Sequence, residues 1–135
     1  VLNPALPTRI LVVEDNPGAA ALYQRYLQGT AWQVVTTAEP GRAVEIARAQ
    51  KPRAIVLDIM MPQLDGWTVL QNLRLDPVTA AIPVIICSVI HDPGLGTALG
   101  AAAYLTKPIS RASLLAALQR VVPTAGPPQS SSAPL

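Results

Sequence analysis

Residues 53–58 read Arg53-Ala54-Ile55-Val56-Leu57-Asp58, an apolar run that stops at a carboxylate. A run with no polar alternation fits a strand buried on both faces, as in a parallel sheet. The pattern recurs on either side. Upstream, Arg9–Val13 ends in Glu14-Asp15, and Trp32–Thr36 makes a second strand. Downstream, Ile82–Cys87 ends at Ser88, and the short Ala103–Thr106 runs into Lys107-Pro108. Helical pieces fill the gaps. Pro17 suits a first turn, Ala20, Tyr23 and Leu27 recur at helical spacing through Gln28, and Gly29 ends that helix. Glu39-Pro40-Gly41 opens a second helix to about Gln50, with Val44 and Ala47 inward; Leu64–Leu75 is a third. A fourth is expected at 92–99, weakened by Pro93, Gly94 and Gly96. Ser110 caps a fifth carrying Leu114, Leu115, Leu118 and Val121. Five strands alternating with five helices predict an α/β fold, a doubly wound five-stranded parallel sheet with helices on both faces. Such sheets carry their chemistry at the carboxyl ends of the strands.

Composition narrows the function. The 135 residues suit one domain. Half are apolar, 13% are charged and the mean hydropathy is +0.35, which excludes a wholly disordered chain. No apolar run reaches the ~18 residues of a membrane span, and residues 1–4 lack the pattern of a secretory signal. One cysteine, Cys87, forbids an internal disulfide, and one histidine, His91, forbids a multi-histidine metal site. Cys87 reads as an inert core residue and His91 as a loop residue. A reducing, cytoplasmic setting fits. The net charge of +2 comes from scattered residues, so nucleic-acid binding is not expected. Residues 1–7 read as a leader, 8–122 as the domain, and 123–135, rich in Pro and Ser, as a linker or tail.

The polar residues at the strand ends form a set: Glu14, Asp15, Asp58, Ser88 and Lys107. Each alone has an ordinary reading as a cap, a turn residue or a solvated lysine. In a doubly wound sheet all of them can meet at one edge. Carboxylates with ordinary pKa values near 4 would then repel one another, and Lys107 offsets only one charge. A divalent cation supplies the remainder, and hard oxygen donors suit Mg²⁺. An ionised aspartate beside that ion is a nucleophile for phosphoryl transfer, with Lys107 and Ser88 placed to stabilise the transferring oxygens.

At these residues the chain resembles the receiver domains of two-component response regulators. The resemblance rests on Ile10–Asn16, on Ile55–Gly66 with its Asp58-Ile59-Met60-Met61-Pro62-Gln63-Leu64-Asp65-Gly66 string, on Val84–Ser88, on Gly100–Tyr104 and on Leu105-Thr106-Lys107-Pro108. It implies a flavodoxin-like sheet of strand order 2-1-3-4-5. It implies Asp58 as phosphoacceptor; Glu14, Asp15, Asp58 and the carbonyl of Met60 as Mg²⁺ ligands; and Lys107 as the partner of phosphoryl oxygens. Ser88 and Tyr104 are implied as the switch pair, and the Lys107–Pro108 bond as cis. Implied partners are a histidine kinase or histidine phosphotransfer domain. The fourth helix, strand five and the fifth helix are the implied output and homodimer face. The missing initiator Met and the Pro/Ser-rich end fit a receiver cut from a hybrid sensor kinase or other multidomain regulator.

Three features depart from that pattern. Val89 stands where Ala or Gly is usual. Met60 and Ile90 flank the site with apolar groups, which predicts a long-lived phosphoryl group. The stretch from Ser88 to Gly100 is about one helical turn short. Competing readings are an unphosphorylated scaffold or dimerisation module, and a Mg²⁺-dependent hydrolase. Scaffolds are free to lose the acidic set, which is complete here. Hydrolases with an aspartyl nucleophile usually carry a second Asp two residues on, where this chain has Met60.

Overall fold

The computed structural model describes residues 8–59, 65–89, 94, 98 and 100–122. Five strands, β1 (Thr8–Val13), β2 (Trp32–Thr37), β3 (Ala54–Asp58), β4 (Val84–Ser88) and β5 (Ala103–Thr106), form one sheet. All pairings are parallel, in the order β2-β1-β3-β4-β5. This is the flavodoxin-like order expected from the sequence. Helices α1 (Pro17–Tyr26), α2 (Ala43–Gln50), α3 (Gly66–Leu75) and α4 (Arg111–Val121) alternate with the strands. Here α4 is the helix the sequence places fifth. The expected fourth helix at 92–99 lies outside the described residues, of which only Gly94 and Ala98 fall in that stretch. The leader 1–7 and the stretch 123–135 also lie outside them. Among the described residues no helix is long and apolar enough to cross a membrane.

Strand residues alternate between two cores. Ile10, Val12, Ala54, Val56, Ile85 and Cys87 pack with Tyr23 and Leu27 from the α1 side and with Leu114, Ala117 and Leu118 of α4. Their neighbours Leu11, Val13, Ile55, Leu57, Val84 and Ile86 pack on the opposite face with Ala43 and Ala47 of α2 and Val69, Leu70 and Leu73 of α3. Successive side chains of a strand point to opposite faces, so an unbroken apolar run feeds both cores at once. β3 and β4 are buried at every position, which makes them the rigid centre of the molecule. Each fully buried Leu or Ile contributes about 1.5–3 kcal/mol relative to exposure.

The helix ends follow local chemistry. Asn16 caps α1 by accepting from the Ala19 N–H, with Pro17 at the first helical position. α1 stops at Tyr26, two residues before the expected Gln28, with Leu27 as its C-cap. Gly29, at φ 78°, then takes the left-handed turn. The expected second helix is a 3-10 turn at Pro40–Arg42 followed by α2. Its buried residues are Ala43 and Ala47, and Val44 packs half-buried against the same core. Asp65 caps α3 through the Trp67 N–H. Ser110 and Ser113 form a reciprocal capping box on α4.

One helix supplies a test and its control. Leu70 is fully buried, whereas Leu75, on the same helix, is 81% exposed. Leu70→Ala should cost about 2–5 kcal/mol, and Leu75→Ala should stay within about 0.5 kcal/mol. Urea unfolding of both variants checks this.

Candidate functional site

Register and strand parity bring the acidic residues together. Val13 pairs with Leu57, so the next residues, Glu14 and Asp58, stand side by side. The ladders continue past the strand ends. The Glu14 N–H donates to the Thr37 carbonyl at 3.0 Å, and the Lys107 N–H donates to the Ser88 carbonyl at 2.7 Å. Glu14 lies two residues beyond Val12, Asp58 two beyond Val56 and Lys107 two beyond Leu105. All three therefore extend the face that packs on α1 and α4.

Carboxylate oxygens of Glu14, Asp15 and Asp58 all lie within 4.8 Å of one another. Lys107 Nζ donates to Glu14 Oε1 at 3.0 Å and lies 3.6 Å from Asp58 Oδ1. The Asn16 N–H donates to Glu14 Oε2 at 3.2 Å. A cleft of about 560 Å³ opens over this cluster, walled also by Val89 and Pro17. Glu14 and Asp58 are 3% and 5% exposed. Ser88 is fully buried at the end of β4. Tyr104 stands opposite Ile86 in the ladder and packs, half-buried, against the α2–α3 core. The Lys107–Pro108 bond is cis. Met60, Ile90 and His91 lie outside the described residues. Trp67 is half-buried against the α2–α3 core, and Cys87 lies in the α1–α4 core, where burial pushes its thiol up to about 12.

The site is short of positive charge. Burial raises the Glu14 carboxyl above its ordinary 4.5 and the Asp58 charge adds to this, outweighing the hydrogen bonds from Lys107 and Asn16. Burial alone would lower Lys107, but the hydrogen bond to Glu14 and the charges of Glu14 and Asp58 raise it overall. Both groups hold protons more tightly than usual, as expected where acids outnumber bases. Three converging hard oxygen donors with uncompensated charge fit a divalent cation such as Mg²⁺.

Gly66 carries a role that the residue pattern did not reveal. A Cβ on Gly66 would fall 2.5 Å from Ile59 Cα and 2.6 Å from the Asp58 carbonyl oxygen. The Gly66 N–H donates to the Ile59 carbonyl at 3.1 Å. The first turn of α3 thus lies directly on the backbone of the central aspartate. The only sequence signal was the glycine itself, at the end of the quoted string; spacing does not reveal a close backbone approach.

Two measurements follow from these contacts. Ala normally gains about 1 kcal/mol over Gly in a helix, yet Gly66→Ala should destabilise by about 1–3 kcal/mol through the clash, read in urea unfolding. The second concerns Glu14. A carboxyl whose folded pKa is raised takes its proton in the folded state first, so its contribution improves as pH falls through the folded value toward 4.5. In chelator-treated buffer, wild type should therefore gain stability relative to Glu14→Gln as pH drops from neutral toward 4.5. Parallel unfolding midpoints for the two proteins would contradict this.

Comparison with known proteins agrees with the geometry. Residues 10–119 match the response regulator receiver domain family. Protein PilH of Pseudomonas aeruginosa is 36% identical over 117 residues, covering 84% of this chain and 97% of that protein. Response regulator PleD of Caulobacter vibrioides is 36% identical over 114 residues, covering 82% of this chain but 25% of that protein. Among solved structures, the receiver domain of a Pseudomonas aeruginosa sensor histidine kinase, with a magnesium ion coordinated in its active site cleft, superimposes with a TM-score of 0.78 at 29% identity. The match covers 87% of this chain and 99% of that one. Chemotaxis protein CheY4 of Vibrio cholerae gives a TM-score of 0.79 at 26% identity, over 86% of this chain and 99% of that one. With sheet order, acidic cluster and matched residues in agreement, the chain belongs to the response regulator receiver domain family of two-component signalling.

Proposed function

We propose that this domain is a phosphorylation-driven switch in which Asp58 accepts a phosphoryl group from the phosphohistidine of a histidine kinase or histidine phosphotransfer protein. The observation that carries the reading is the convergence of Glu14, Asp15 and Asp58 oxygens within 4.8 Å, with Lys107 Nζ 3.0 Å from one of them. Mg²⁺ is the proposed cofactor, held by Glu14, Asp15, Asp58 and the backbone carbonyl of Met60. When bound it supplies positive charge against the phosphoryl oxygens. The domain is assigned to residues 8–122, between the leader 1–7 and the linker 123–135, and to the cytoplasm. It acts as a signalling module and not as an enzyme that turns over a substrate.

The chain's own groups divide the work. An Asp58 carboxylate oxygen attacks phosphorus while the phosphorus–nitrogen bond to the donor imidazole breaks, and that nitrogen keeps the electron pair. The product is an acyl phosphate on Asp58. Lys107, already between Glu14 and Asp58, turns a hydrogen bond toward a phosphoryl oxygen. The Ser88 hydroxyl donates to another, and Tyr104 repacks against the α2–α3 core. The new group brings nearly two negative charges, and the differential contacts of Ser88 and Tyr104 shift a two-state equilibrium by about 1–3 kcal/mol. The altered surface then controls a partner or a linked domain.

Acetyl phosphate with Mg²⁺ should produce a retarded band for wild type on a phosphate-affinity gel. Asp58→Asn should give none, and a chelator should remove the wild-type band. Absence of that band in wild type with Mg²⁺ would overturn the reading in favour of an unphosphorylated scaffold.

A further inference from the structure

Tyr26, the last residue of α1, is tied twice to the connection between β5 and α4. Its hydroxyl donates to the Ile109 carbonyl at 2.7 Å, across 83 positions of sequence. Its own carbonyl, one of those that a helix end leaves without an internal partner, accepts from Arg111 Nε at 3.0 Å. Side chains lean toward the start of their helix, so a tyrosine in the last turn of α1 can reach back to this segment. The same connection carries Lys107. Before it, the Lys107 N–H donates to the Ser88 carbonyl at 2.7 Å. After it, Ser110 and Ser113 close the capping box of α4. Between these ties lie only Pro108, which has no N–H to offer, and Ile109. Ile109 is buried in the α1–α4 core, and Tyr26 packs half-buried against that core. The Lys107 side chain lines an open recess of about 380 Å³ with Leu22, Tyr23, Pro108 and Ile109. Its stem is therefore not wedged in place by close packing. Where its ammonium lies between Glu14, at 3.0 Å, and Asp58, at 3.6 Å, depends on the backbone from which it starts.

We propose that Tyr26 is a positioning residue: its hydroxyl, by holding the Ile109 carbonyl, fixes the backbone from which Lys107 reaches Glu14 and Asp58. The proposal rests on the reading of Asp58 as phosphoacceptor and Lys107 as partner of the phosphoryl oxygens. Tyr26 acts through Lys107 and not on the phosphoryl group itself. Without the hydroxyl, a carbonyl in a buried segment loses its partner, and leaving it unpaired is costly. The segment relaxes to find another donor or water. Pro108, whose ring fixes φ, passes that shift to Lys107. A positioned group displaced by about 1 Å loses up to about a hundred-fold in rate, and a smaller shift loses proportionately less.

The test measures how fast the retarded band forms with acetyl phosphate and Mg²⁺. In that reaction phosphorus bonds to an Asp58 oxygen while its bond to the acetyl oxygen breaks and acetate leaves. Tyr26→Phe removes the hydroxyl and keeps the ring. Thr79→Val is the control: it removes a buried hydroxyl that donates to the Leu73 carbonyl at 2.6 Å, in the connection between α3 and β4. Both variants should lose a similar, modest amount of stability in urea unfolding. Tyr26→Phe should load about three- to ten-fold more slowly than wild type, and Thr79→Val should stay within about two-fold. Lys107→Ala and the double variant close a cycle. With the ammonium gone, Tyr26→Phe should change the remaining rate by less than about two-fold. Wild-type loading by Tyr26→Phe would overturn the role of Tyr26. So would equal slowing by Thr79→Val, or equal slowing by Tyr26→Phe with and without Lys107, because lost stability alone would then account for it. Where Lys107→Ala forms no band, the comparison with Thr79→Val decides. No band in wild type would instead overturn the acceptor assignment, and this proposal with it.

Discussion

Confining more negative than positive charge at the carboxyl edge of a buried sheet is the constraint on which the rest depends. Glu14 and Asp58 are forced side by side by the β1–β3 register, and Asp15 joins them. Lys107 compensates one charge only. At such separations each like-charge pair costs about 1 kcal/mol in water and several-fold more where solvent is excluded. A soft framework would relax and let the acids part. The two cores on either face of β3 and β4, buried at every position, prevent that. Stability elsewhere holds the molecule in a locally unfavourable arrangement whose excess negative charge a divalent cation would relieve.

The backbone around the cluster is arranged to the same end. α1 begins at Pro17, one residue after its cap Asn16, so the positive end of its dipole lies beside the acids. Asn16 works twice there, capping the helix with its side chain and donating its own N–H to Glu14. On the other side, Gly66 lets the first turn of α3 rest on the Asp58 and Ile59 backbone. Strand, helix start and glycine contact together fix the direction in which the Asp58 carboxylate leaves the chain.

Much of this was legible in the residues, for physical reasons. Unbroken apolar runs ending in polar residues announced parallel strands, and the strand-end rule then collected Glu14, Asp15, Asp58, Ser88 and Lys107 without any coordinates. The structure brings Glu14, Asp15, Asp58 and Lys107 into one cluster and ends the neighbouring strand on Ser88. What escaped was set by backbone geometry, which has weak sequence signals. The 3-10 turn at Pro40–Arg42 opens what the sequence reads as one helix, so α2 itself starts only at Ala43. α1 ended early because the turn through Gly29 begins at Leu27. The contact of Gly66 with Asp58 depends on how closely a helix approaches a strand, and no residue spacing reports that distance.

Strand parity has one more consequence. Glu14, Asp58 and Lys107 extend the sheet face covered by α1 and α4, whereas Tyr104 packs with the layer of α2 and α3, and Ser88 follows Ile86 of that same layer by two residues. The proposed acceptor and the proposed switch pair thus belong to opposite sides of a single ply of backbone. On that proposal, chemistry performed on one side would be read out on the other through the thickness of the sheet, and a donor docked over the acceptor would leave the reporting side uncovered.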